Sequence, residues 1–212
     1  MKNTLSPLSL LNLAKLKVLL SLGFKGYLAE KGWFKAYETR SAIDERGMPI
    51  PWVTYSFIDF IRTRIRPSHD IFEFGSGNST VFYARNARSV TAVEHDRPWY
   101  ERSQALGLKN AEVLFFELEP DGTYCRSAAG KNYHIIIVDG RDRVNCCRQA
   151  VHSLTSDGVV VLDDSERPEY ADAIAFLKSE GFKELPFTGM APGVIVSKCT
   201  TVFYKSNNCL DI

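Results

Sequence analysis

With 212 residues, 45% of them hydrophobic and 24% charged, the chain has the size and composition of one globular domain with a small appendage. Its formal net charge of +1 supplies no field that would gather nucleic acid, and no basic stripe interrupts the pattern, so no nucleic-acid partner is expected. Five cysteines, an odd number without Cys-x-x-Cys or histidine spacing, argue against a zinc motif and fit free thiols in a reducing cytoplasm.

The stretch from Leu8 to Phe24 is rich in leucine, and Leu10, Leu13, Leu16 and Leu20 recur at helical spacing. Lys15 and Lys17 interrupt it, so the pattern predicts an amphipathic helix and neither a transmembrane span nor a secretory signal. Such a helix docks on the core, pairs with a second copy in a homodimer, or rests on a membrane surface. Residues Trp33 to Pro51, with Gly47, Pro49 and Pro51, predict a loop that covers something, and Trp52 to Tyr55 leads into a helix over 56–64 with Phe57, Ile58, Phe60 and Ile61 on its apolar side. Pro67 ends that helix. Residues 1–55 thus form an N-terminal helix and cap, and residues 56–212 the main domain.

From there strands and helices alternate. Strands are predicted over 70–74, 89–94, 112–117, 133–139 and 158–163, and helices over 79–87, 97–106, 143–154 and 168–180. Two closing strands, 181–187 and 200–205, have only a turn around 189–193 between them, so they form an antiparallel hairpin. Alternating units with continuous apolar strands imply an α/β fold: a doubly wound, Rossmann-like, seven-stranded sheet, mostly parallel, with a C-terminal antiparallel hairpin.

The chemistry concentrates at strand ends. Ile71 to Phe74 is a buried strand, and the chain turns sharply on Gly75 and Gly77, which open backbone angles closed to other residues and clear the approach of a ligand. Asn78, Ser79 and Thr80 are N-cap types, so a helix opens there with free N–H groups. Glu94 closes the next strand, where a carboxylate accepts hydrogen bonds from ribose hydroxyls. This arrangement binds a nucleoside. A dinucleotide fingerprint wants a third glycine where Thr80 stands, and an acid at Glu73 repels phosphate but suits a cationic ligand.

Glu73-x-Gly75-x-Gly77 resembles motif I of the class I S-adenosylmethionine-dependent methyltransferases, and Glu94 resembles their ribose-binding acid. The resemblance covers residues 56–206 and implies S-adenosylmethionine bound by Glu73, Gly75, Ser76, Gly77, Ser79, Thr80, Glu94 and His95, with His95 against the adenine. Together with the Pro51-to-Tyr55 segment and Trp99-Tyr100, these motifs look like a little-characterised bacterial methyltransferase group. Trp52 and Tyr55 either close over a ligand or anchor the cap, and Trp99 is expected in the core.

Asp139-Gly140-Arg141-Asp142-Arg143 with Asp163-Asp164 resembles the catechol-type O-methyltransferases. That resemblance implies Mg²⁺ held by Asp139, Asp163 and Asp164; a hydroxyl acceptor also needs a base or metal to shed its proton, and Asp139, Asp164 and His95 are the candidate bases. Asp164 stands where that family has Asn, and Arg141 and Arg143 offer the acids a different counter-charge. The absence of an Asn-Pro-Pro-Tyr-like motif favours oxygen over nitrogen as the acceptor atom, on a small molecule. The competing readings are a nicotinamide-dependent oxidoreductase and a non-catalytic binding module.

Overall fold

The structure, a computed structural model, describes residues 12–212. Leu8 and Leu10 of the N-terminal apolar pattern lie outside the described residues. Within them, α1 (Leu13–Ser21), α2 (Tyr27–Glu30) and α3 (Trp33–Thr39) precede α4 (Tyr55–Arg62). The alternating part runs β1 (Asp70–Phe74), α5 (Asn78–Ala84), β2 (Ser89–Glu94), α6 (Arg97–Gln104), β3 (Ala111–Phe115), α7 (Thr123–Arg126), β4 (Tyr133–Val138), α8 (Arg143–Ala150), β5 (Leu154–Asp163) and α9 (Ala171–Ser179). The chain closes with β6 (Lys183–Gly189) and β7 (Lys198–Tyr204).

The seven strands form one sheet in the order β3-β2-β1-β4-β5-β7-β6. β1 to β5 pair in parallel, while β7 runs antiparallel between β5 and β6. The expected hairpin is present, and its return strand inserts into the sheet. Placed there, β7 buries Val202 and Phe203 fully, one in the core on each face of the sheet. At the centre, Ile135 and Ile136 of β4 and Val159 to Leu162 of β5 are fully buried. Burying each such side chain is worth about 1.5–3 kcal/mol, so these two strands carry much of the folding drive.

One expectation about the N-terminal part is corrected, and one set of alternatives is narrowed. Residues 33–39 form a helix rather than the start of a loop, because the breakers Gly47, Pro49 and Pro51 all follow it, and Trp33 and Ala36, three apart, turn one face inward. Trp33, Ala42, Ile50 and Val53 join the same core as α4, β1 and β4, so the cap is packed onto the sheet. α1, by contrast, buries none of its residues and does not dock on the core; Leu13, Leu20 and Phe24 stay largely exposed. Among the described residues no helix is long and apolar enough to cross a membrane. All five cysteines are buried and free.

Candidate active site

β1 and β4 are neighbours although α5, β2, α6, β3 and α7 separate them in sequence, and the chain leaves their carboxyl ends in opposite directions. Ligands of open α/β sheets lie at such a switch point. The β1 turn and the β4 turn nearly touch here: a Cβ on Gly140 would lie 2.0 Å from the Tyr124 hydroxyl and 3.1 Å from Gly75 N, so only glycine fits. Gly75 and Gly77 have φ of 105° and 139°, which a side chain would strain. Between the two turns is a cleft of about 330 Å³, lined among others by Glu73, Ser76, Ser79, Glu94, His95 and Asp139.

Glu73 lies at the bottom of the cleft, 1% exposed. Its Oε2 accepts from the Thr80 hydroxyl at 2.7 Å, and Thr80 Oγ1 in turn accepts from Gly77 N at 3.0 Å. The side chain that breaks the dinucleotide pattern therefore ties the turn to the acid, a role its place in the sequence does not announce. Burial pushes the Glu73 carboxyl up to about 7, against the pull of the Ser79 and Thr80 hydrogen bonds and with a smaller push from Glu94. Among the described residues no cation pairs with it.

Glu94 is buried at the end of β2, where its Oε1 accepts from the backbone N–H of His95 at 2.8 Å and of Asp96 at 3.0 Å. Ser76 Oγ donates to Oε2 at 3.1 Å. The carboxylate is thus held rigidly, facing the glycine turn. His95 Nδ1 lies 3.0 Å from Glu94 Oε1 without the alignment of a hydrogen bond, and its ring meets Tyr124 edge-on.

Trp99 is not in the core, as the sequence suggested, but 41% exposed and over the turn. Asp96 caps α6 by accepting from Trp99 N, which fixes the first turn of that helix. Trp99 Nε1 then donates to Ser76 O at 2.6 Å, and a Cβ on Gly77 would sit 3.2 Å from the indole. Trp52 is likewise partly exposed, while Tyr55 is buried as the cap's anchor in the core.

The acids after β4 and β5 are arranged differently from a metal centre. Arg143, 8% exposed, donates from Nη2 to Asp139 Oδ1 at 3.1 Å and from Nη1 to the Asp163 carbonyl at 2.5 Å, and lies 3.3 Å from Asp164 Oδ2. Lys198 Nζ sits 2.8 Å from Asp163 Oδ2 and 2.7 Å from Asp164 Oδ1, and Arg167 pairs with Asp164 at 2.8 Å. Asp163 is fully buried and also accepts from Thr200 Oγ1 at 2.7 Å, tying β5 to β7. Three cations thus meet three carboxylates, and a divalent ion would have to displace them. Among the described residues no group of His, Cys, Asp or Glu side chains is gathered to hold a metal. The expected Mg²⁺ site does not fit this arrangement. Arg143 follows Asp139 by four residues in sequence; Lys198 is 35 residues from Asp163, and nothing in the sequence points to it.

The three acids also differ from one another. Asp164 has both oxygens in ion pairs, is 3% exposed, and holds a left-handed backbone with φ of 55°. Asp139 keeps a side chain 22% exposed toward the cleft, and among the described residues only its Oδ1 accepts a hydrogen bond. Burial and the Asp163 charge hold its carboxyl well above the usual range, against the pull of Arg143.

No protein-family model matches the chain, and no curated protein does. Solved structures do. The chain is similar to precorrin-6y C5,15-methyltransferase from Geobacter metallireducens, with 15% identity, 78% of this chain and 98% of that chain covered, and a TM-score of 0.57. A methyltransferase from Pyrococcus furiosus matches with 16% identity, 84% and 99% covered, and a TM-score of 0.55. A Streptococcus mutans protein solved in complex with SAH matches with 12% identity, 69% and 94% covered, and a TM-score of 0.50. With this strand order and these neighbours, the chain carries the Rossmann-like fold of the class I S-adenosylmethionine-dependent methyltransferases.

Proposed function

We propose that the protein is an S-adenosylmethionine-dependent methyltransferase acting on a hydroxyl oxygen of a small molecule. The observation that carries this reading is the uncompensated Glu73. Of the acids lining the cleft, Asp139 and Asp164 have cations of their own and Glu94 accepts from two backbone N–H groups and the Ser76 hydroxyl, whereas Glu73 is buried with no cation and no N–H donor among the described residues. A buried carboxylate without a counter-charge is costly, and a cationic ligand relieves it. The donor fits: when bound it supplies an activated methyl group on a sulfonium and a cationic ammonium.

In this reading Glu94 holds the ribose hydroxyls, and the N–H groups of the glycine turn and of α5 hold the amino-acid end near Glu73 and Ser79. His95 borders the base. The chain's remaining work is to align an acceptor oxygen and to take its proton. Asp139 Oδ2 is the oxygen available for that proton, and the raised affinity of the carboxyl for protons suits a general base. Arg143 orients Asp139 through Oδ1, and Asp164, with its oxygens taken up by Lys198, Arg167 and Arg143, positions Arg143. Water is kept from the turn by the Trp99 indole.

The test is a thermal melt with S-adenosylmethionine, S-adenosylhomocysteine or NADH. A ligand at a hundred times its dissociation constant adds about 2.7 kcal/mol, a clear upward shift. A shift with both adenosyl ligands and none with NADH is expected. A shift with NADH alone supports the oxidoreductase instead, and no shift with any ligand supports a non-catalytic module. Asp139→Asn is expected to bind donor normally and to lose turnover.

A further inference from the structure

The cleft continues past Asp139 toward the cap. A recess of about 160 Å³ shares Ser76, Ser79, Trp99 and Asp139 with it and is closed by Arg40, Ser41 and Trp52. A wider recess of about 460 Å³ shares Arg40 and Trp52 with that one and opens between α3 and the turn around Gly193. Arg40 and Trp52 therefore stand at the junction between the outer opening and Asp139.

The aromatic walls of this passage are exposed yet held. Trp52 is 41% exposed, and its Nε1 donates to Pro192 O at 2.8 Å. Tyr37, 61% exposed, stacks on Trp33 with ring centroids 5.4 Å apart, and Trp33 Nε1 donates to Val194 O at 3.0 Å. Large apolar faces fixed in place and left open to a concavity are what a small flat ligand uses. Arg40 adds a charge. Among the described residues its guanidinium makes no ion pair or hydrogen bond, so its fork of donors is free for an anion. Its backbone closes α3 in the left-handed region, φ 50°, where glycine is the usual residue. Asn78 of α5 donates to Ser41 Oγ at 3.0 Å and Ala42 O at 2.9 Å, which keeps the Arg40 segment against the cleft. Glu38 also lines the outer recess, which favours the anion at Arg40 rather than at the mouth.

We propose that the acceptor is a small molecule with a ring and an anionic group, resting its ring on Trp52 and Tyr37 and placing a carboxylate or phosphate on Arg40. This rests on the methyl-transfer reading of the cleft. A planar guanidinium binds either anion through two parallel hydrogen bonds.

The experiment measures binding of 4-hydroxybenzoate, phenyl phosphate and the neutral 4-hydroxybenzamide by calorimetry in saturating S-adenosylhomocysteine. At least one anion is expected to bind 10-fold or more tightly than the amide, and which one does so names the group. Arg40→Gln should erase that preference, Arg40→Lys should keep part of it, and Trp52→Ala should weaken all three probes alike. Affinity for S-adenosylhomocysteine should not change in Arg40→Gln. Equal or undetectable binding of charged and neutral probes, with S-adenosylhomocysteine still bound, overturns this inference alone. So does a fall in S-adenosylhomocysteine affinity in Arg40→Gln, which would assign Arg40 to the donor's own carboxylate. A wild-type protein that binds no S-adenosylhomocysteine overturns the methyl-transfer reading and this inference with it.

Discussion

Replacing Glu73 with Gln separates the energetic cost of the site from its use. The carboxyl is 1% exposed, and burial raises it from 4.5 to about 7. Between those values the unfolded chain is ionised there and the folded chain is protonated, so the folded state binds the extra proton and loses stability as pH rises from 4.5 to about 7. A shift of about 2.5 units corresponds to about 3 kcal/mol, present as a penalty above pH 7. Glutamine keeps the shape and an oxygen for the Thr80 hydroxyl but carries no charge. Glu73→Gln is therefore expected to be more stable than wild type at pH 8, by up to about 3 kcal/mol, and nearly equal to it at pH 4.5. Urea unfolding at the two pH values measures this. Loss of a charged partner should also weaken S-adenosylmethionine binding by about 1.5–3 kcal/mol, roughly 10- to 150-fold in dissociation constant, read by calorimetry. A variant less stable than wild type at pH 8 would show that the charge is already compensated in the empty protein. Unchanged donor affinity in the same variant would remove Glu73 from the donor site.

Three other predictions follow from the geometry. Lys198→Met takes from Asp163 and Asp164 the ammonium that lies within 2.8 Å of both in a buried setting, and should cost about 3–5 kcal/mol in chemical unfolding; an unaltered midpoint would mean that Arg143 and Arg167 neutralise both acids alone. His69 is buried against His134, and burial with that neighbour pushes it down to about 4 from 6.5. The unfolded chain then takes up the proton first, so this group's contribution to stability is present above pH 6.5 and is lost as pH falls toward 4. His69→Gln should flatten that part of the curve, which runs opposite to the Glu73 effect; a curve identical to wild type would show that His69 does not titrate separately. Glu94→Gln keeps the packing at the end of β2 but has only one oxygen for the His95, Asp96 and Ser76 donors. It should weaken adenosyl-ligand binding about 10-fold or more while remaining folded, as checked by calorimetry beside circular dichroism; normal affinity would remove Glu94 from the ribose site.

Much of the fold was legible because it is local. β1, β2 and β4 announce themselves as short runs of buried β-branched and aromatic residues, and the glycine turn with Glu73 and Glu94 follows from residue types that a ligand-binding turn requires. The hairpin of β6 and β7 follows from the lack of room for a helix between them. α3 was missed because its short face, Trp33 and Ala36, is overshadowed by the glycine and prolines after it, and its helicity depends on packing into the core.

What the sequence could not express is which charges meet. Asp139, Asp163 and Asp164 have the spacing of a metal set, yet pairing β5 with β7 brings Lys198 to Asp163, and the start of α8 brings Arg143 among all three. Nor does it show that Trp99 lies over Gly77, or that Arg40 and Trp52 share a passage to Asp139, since these contacts span separate elements. Local pattern determines the strands, the turns and the residue types at their ends, because backbone angles and burial act over a few residues. Counter-charges and cavity walls are decided only when distant elements pack, because electrostatic compensation and enclosed volume depend on distances in space.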